Sequence, residues 1–280
     1  MALHEPDERH PTARDTVSPP LDRRQLLTGL AGVGLGCAQR RGDFSLPDGP
    51  ITLGWRWVPG LELSYRTVMA RQTHDVVVRR VEEWTYLVRD LGRNTVATLD
   101  GRLTGLGIAV EARDTPLPEP LYATALSEER DGVDSEVQLE VGMDGRVVSC
   151  TLQDFDAELP HIFMAQRLPA RSVLPNDEWA DPGLASPFTS LFPPEMPLSV
   201  DASSQLTEMH VRAGITVAII GSRAVIRGPT GGPTLLIRGQ SEWNADRGIL
   251  EKRHMEVTFL PNSADPIRPP GQLEFDLVLA

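Results

Sequence analysis

Three groupings of residues have the types and spacing for chemistry. The first is Arg23-Arg24, followed by Gln-Leu-Leu-Thr, a glycine-rich apolar run and then Cys37 (LDRRQLLTGLAGVGLGCAQRR, 21–41). Paired arginines ahead of a short apolar segment suit an export signal, and a cysteine behind Gly34-Leu35-Gly36 offers a thiol for lipidation. The second is Asp154, Asp156, Glu158 and His161. Oxygen ligands at alternate positions can suit calcium, but the central glycine and late glutamate of a calcium loop are missing. Acids at this spacing fit a helix N-terminus, where the helix dipole favours negative charge. The third is Trp55, Trp57 and Trp84. Two apart on a strand, Trp55 and Trp57 share a face, so they serve either as core or as the lining of a greasy groove.

Other chemistries lack their residues. No Cys-x-x-Cys or His-x-x-x-His spacing occurs, so no metal site of the usual zinc kind is expected. The six histidines are scattered, and neither a Gly-x-Ser-x-Gly elbow nor a Ser-x-x-Lys pair is present. A triad assembled only by the fold stays open as an alternative. The loop Gly228-Pro-Thr-Gly-Gly-Pro233 lacks the Gly-Lys-Ser/Thr end of a phosphate loop and reads as a long turn. No cofactor is implied. A net charge of −12 argues against nucleic acid or an anionic membrane surface as partner.

The thirteen residues Leu26–Ala38 are too few to cross a bilayer, which takes about 20. No strand precedes their glycines, which excludes a dinucleotide loop. An export signal fits the length, with a cytosolic tail carrying a short greasy patch as the alternative. Residues 1–36 are therefore set aside as signal and lead, and 37–49 as linker.

From about Ile51 onward the apolar rhythm has period two. Leu61, Leu63, Tyr65, Thr67 and Met69 alternate with polar residues, as in a half-buried strand. Residues 75–90 are rich in Val, Trp, Tyr and Thr and read as strand, followed by a turn at 92–94 and a strand Thr95–Leu99. Val137, Leu139 and Val141 alternate into Asp144-Gly145, and Val148, Cys150 and Leu152 alternate out. This is a hairpin, with Cys150 as a small core residue. Residues 154–167 predict the one helix. Seven prolines then mark a connection. The later strands are expected at 206–211, 216–220, 224–227, 234–238, 240–244 and 249–260. A first strand-rich half (50–170), a connection (171–200) and a second half (201–280) follow, and the turns near Asp144 and Asp246 hint at duplication. The fold class expected is mainly β: curved antiparallel sheet or half-barrel with one short helix.

The lipoprotein-type signal, the Asp-Gly hairpin, the segment Pro175-x-Asp177-x-Trp179 and the ending Trp243-x-x-Asp246-x-Gly248 resemble a group of uncharacterised secreted bacterial lipoproteins. In that group glycine stands where this chain has Asn176. The resemblance implies a curved antiparallel sheet akin to the half-barrels of lipoprotein carriers, whose concave side holds acyl chains. It brings no catalytic residues. The function expected is that of a non-enzymatic cell-envelope lipoprotein, exported to the periplasm or held at a membrane through lipidated Cys37. Its ligand would be a lipid, an acyl chain or a partner protein, with Trp84, Met143, Phe163 and Met164 as candidate lining. A secreted hydrolase with dispersed residues, and a structural protein whose sheet is filled by its own side chains, are the alternatives.

Overall fold

A computed structural model describes residues 49–72, 76–92, 95–112, 135–152, 155–229, 232, 234–260 and 271–280. Arg23, Arg24, Cys37, Asp154 and residues 113–134 lie outside these residues, as do the side chains of Asp156 and Glu158.

Period-two burial builds one open, fully antiparallel sheet of eleven strands. They are β1 (Glu62–Gln72), β2 (Val76–Leu91), β3 (Val96–Ala112), β4 (Glu136–Gly142), β5 (Val147–Cys150), β6 (Glu178–Ala180), β7 (Ser199–Arg212), β8 (Ile215–Arg227), β9 (Thr234–Asn244), β10 (Ile249–Leu260) and β11 (Gly271–Leu279). Their spatial order is β5-β4-β3-β2-β1-β11-β10-β9-β8-β7-β6. The chain starts in the middle, meanders to one edge, crosses to the far edge and meanders back. The first and last strands then pair, Tyr65 opposite Leu279 and Met69 opposite Phe275. The two expected halves are thus two wings of one sheet. The sheet curves but does not close, since β5 and β6 are edges rather than partners.

The crossing between the edges carries helix α1 (Phe155–Met164), β6, a 3-10 turn at Pro182–Leu184 and the one-turn helix α2 (Ser186–Thr189). The sequence predicts α1 out to residue 167, but it stops at Met164. Its terminal carbonyls go to tertiary donors instead: the Phe163 carbonyl to Arg253 (2.8 Å) and the Gln166 carbonyl to the Trp55 indole (3.1 Å). Helix α1 also contains Pro160, which removes one backbone bond. Packing rather than propensity therefore holds it: Leu159, Pro160, His161, Phe163 and Met164 are all buried.

Several strands outrun the expectation because interior glycines break the apolar rhythm. β3 runs to Ala112, not Leu99. At Gly101 a Cβ would stand 2.6 Å from Val137 and 2.8 Å from the Tyr86 ring, which close over the bare backbone. The pairs 216–220 with 224–227, and 234–238 with 240–244, are single strands, β8 and β9. The Met255 side chain occupies the place a Cβ on Gly239 would take.

Both hairpins singled out in the sequence lie at one end of the sheet, where they grip the segment 51–57. Trp55 N–H bonds the Met143 carbonyl (3.1 Å), Arg56 N–H bonds the Gly248 carbonyl (3.1 Å), and Ile51 pairs with Val173 in both directions (2.9 and 2.8 Å). The Trp55 and Trp57 rings stack, with centroids 4.4 Å apart, and Trp243 meets Trp55 edge-on at 4.7 Å. All three indoles are buried. Trp55 and Trp57 are core, and they seal this end.

Gly145 has φ +77°, and a Cβ there would collide with the Gln166 carbonyl, whereas Gly214 has φ +80° and open space. Replacing either by Ala incurs left-handed backbone strain, and only Gly145→Ala adds a clash. Urea unfolding is expected to show a loss of about 1 kcal/mol for Gly214→Ala and about 3 kcal/mol for Gly145→Ala.

A candidate binding site on the concave face

Inward side chains of adjacent strands line up in rows. One row reads Glu82 (β2), Thr67 (β1), Leu277 (β11), Arg253 (β10), Ser241 (β9), Ile220 (β8) and Leu206 (β7). All seven are buried, so a polar band runs through an otherwise apolar wall. Helix α1 lies against this wall. Phe163 packs on Phe275 at 4.7 Å and Phe188 at 6.0 Å, and Met164 is fully buried. Trp84 meets the His161 ring edge-on at 4.5 Å. The concave face therefore brings together three of the expected lining residues: Trp84, Phe163 and Met164. Met143 stands apart, 37% exposed on the β4–β5 turn. Its backbone, not its side chain, serves the fold. Cys150, half-buried on edge strand β5, packs at the margin of the core.

The polar band contains two charged assemblies. In the first, the Trp84 indole donates to Glu82 Oε2 (2.7 Å), and Arg80 pairs with the other oxygen, Oε1 (2.5 Å). Tyr86 Oη lies 2.7 Å from His161 Nδ1. Burial first, and Glu82 second, push the Tyr86 phenol well above its ordinary range, so it is a firm donor. His161 then accepts at Nδ1 and carries its proton on Nε2, by inference from this bonding. Burial, with Arg80 adding to it, lowers the His161 pKa to about 3, so the ring is neutral.

In the second assembly, Arg253 lies 5.6 Å over the Phe163 ring and donates to the Phe163 carbonyl. Burial lowers its pKa to about 10 against the opposing pull of Asp181. Asp181 is itself raised by burial, which Arg253 and the Ser204 hydroxyl (2.8 Å) oppose. Ser204 continues to Ser222 at 2.9 Å. Sequence reading misses this whole set. Arg253 sits in the charged run Glu251-Lys252-Arg253-His254 and Ser204 in Asp201-Ala-Ser-Ser204, and only strand register shows that they face inward as neighbours.

Several buried atoms of this interior find no partner among the described residues: Thr67 Oγ1, His161 Nε2, both amide atoms of Gln166, Ser241 Oγ, Trp243 Nε1 and Arg253 Nε. Unmet buried polar groups each cost about 1–3 kcal/mol, so this interior carries unspent hydrogen-bonding capacity. At the end away from the tryptophans, the inward aliphatics Val76, Leu106, Ile108, Val110 and Leu273 are only half-buried, and Val78 is 37% exposed. The cup is closed below and apolar at its rim. Among the described residues, no group of three or more His, Cys, Asp or Glu side chains is placed to hold a metal, and no histidine shares a hydrogen bond with a serine.

Two outcomes follow. The unfolded chain binds a proton at His161 near the ordinary histidine value of about 6.5, whereas the folded chain resists until about 3. The stability this neutral ring contributes is complete above about pH 6.5 and is lost as pH falls toward 3, by up to about 1.4 kcal/mol per unit. His161→Gln, which still accepts from Tyr86, is expected to remove that part of the slope when wild type and variant melts are compared across pH. Arg253→Leu strands the Asp181 charge and the Phe163 carbonyl, and denaturant unfolding is expected to show a loss of about 3 kcal/mol.

No protein-family model matches the chain, and no curated protein matches it significantly.

Proposed function

We propose that this chain is a non-enzymatic protein of the cell envelope that receives a lipid or acyl chain on the concave face of its sheet, with α1 as the element that yields to it. The observation that carries the reading is the buried helix α1 lying inside a sheet that stays open between β5 and β6. A helix attached at one gap can leave that face without any strand pairing being broken. The vacated wall would offer Trp84, Phe275 and the rim aliphatics to an apolar tail. The unpartnered hydroxyls of Thr67 and Ser241 would meet an ester or headgroup oxygen. The export signal with Arg23 and Arg24, and lipidation at Cys37, belong to the same proposal: they put the chain where lipids are cargo.

A specific observation favours a second reading, that of a structural protein filled by its own side chains. Two hollows lie elsewhere on the described surface. One of about 310 Å³ is lined by Arg167, Arg171 and Trp179, and one of about 260 Å³ by Ala70, Arg79 and Glu274, outward-facing residues of the sheet.

Mass spectrometry of the protein purified from its native membranes separates the two. The proposal expects a mature N-terminus at an acylated Cys37 and a retained lipid released by organic extraction; Arg23→Lys with Arg24→Lys is expected to leave the precursor unprocessed. A protein that retains no lipid, and whose tryptophan emission is unmoved by lysophospholipid, is the structural protein of the second reading.

A further inference from the structure

Among the described residues, the sheet has one long unguarded edge. β4 pairs only with Val96–Arg102 of β3, and one further bond runs from Leu103 N–H to the Ser135 carbonyl. From Thr104 to Ala112 the far side of β3 has no strand partner among the described residues. The nine residues TGLGIAVEA hold a single charge, Glu111, and no proline. Exposed edges are ordinarily blunted by shortness, lysine, proline or bulges, because open N–H and C=O groups recruit other strands. The other edges obey that rule. β5 has four residues and β6 three, and the part of β7 beyond β6 carries Glu208, His210 and Arg212.

We infer that the free Thr104–Ala112 edge pairs with the same edge of a second copy of this chain, antiparallel about a two-fold axis through Ile108. The side-chain pattern specifies this occupant. Opposite residues of an antiparallel pair share a face, and a C2 contact must be self-complementary. Centred on Ile108, the register sets Ile108 against its copy and Leu106 against Val110. Those residues lie opposite Arg80, Glu82 and Val78 of β2, on the concave side. The apolar rim would then run unbroken from one subunit into the next. On the convex side Gly107 meets Ala109 and Gly105 meets Glu111, so the two acids never face each other and no bulky group opposes the approach. The inference is independent of what the concave face binds.

The test uses the full chain carrying Cys37→Ser and Cys150→Ser, so that no native thiol competes. Sedimentation is expected to show a reversible dimer in the micromolar range. Under mild oxidation Ile108→Cys, which sits on the axis, is expected to cross-link to near completion, and Leu106→Cys, displaced from it, is not. Gly107→Lys introduces a cation where a Cβ would meet nothing within 4 Å. It is expected to weaken the dimer at least tenfold while leaving the melting temperature at high dilution unchanged. A chain that stays monomeric, cross-linking equal at 106 and 108, or a dimer indifferent to Gly107→Lys would each overturn the proposal. So would cross-linking of Ile108→Cys to a different protein in the host with no self-linked product.

Discussion

The pairing of β1 with β11 is the constraint on which the remainder depends. It joins residues 200 or more positions apart, Tyr65 with Leu279 and Gln72 with Gln272. Each wing alone is a meander with one apolar face and nothing to cover it. Joined, they curve into a wall that faces itself, and only then can α1 bury Leu159, His161, Phe163 and Met164. The register matters as much as the pairing. A slip of one residue would turn Thr67 and Met69 outward and expose Val68 and Ala70 to the core, inverting the face of the central strand.

The apolar wall tolerates charge because each charge is tied to something that needs it. Arg253 terminates α1 at the Phe163 carbonyl, while Asp181, fixed by Ser204 and the Leu184 N–H (3.1 Å to the Asp181 carbonyl), keeps the guanidinium from being a lone buried cation. Glu82 balances Arg80 and orients the Trp84 indole. Such pairs seldom add net stability over apolar residues of the same size. They specify where the helix sits, and the leftover donors and acceptors along the same band make that seat polar enough for something other than a helix.

The period-two rhythm made the strand class legible, and the Asp-Gly chemistry at Gly145 made one hairpin plain. Two features hid the true extents. Glycines inside β3, β8 and β9 look like turns in one dimension, but Tyr86 and Val137 close over Gly101, Thr207 over Gly221 and Met255 over Gly239. The last strand, Gly271–Leu279, carries Phe275 and Leu277 in alternation, yet its partner is the first strand, and no local signal records that. Of the candidate site, Trp84, Phe163 and Met164 could be read as apolar residues in the right elements. Met143 could not be separated from them, because a hairpin apolar residue looks the same whether its side chain or its carbonyl is used. His161 and Arg253 drew no attention as partners of this interior, since a lone histidine or arginine in sequence says nothing of what lies across the sheet.

The meeting of the first and last strands at the centre has a kinetic consequence. The local hairpins form early from near neighbours, but the wings cannot lock together until residues near the C-terminus are available. Contacts of such long sequence separation slow folding. Through that interval β1 and β11 are both naked edges with apolar faces, the state most prone to pairing with the wrong strand. Under the proposed export, a route that lets the whole polypeptide finish before it is moved would spare it that hazard.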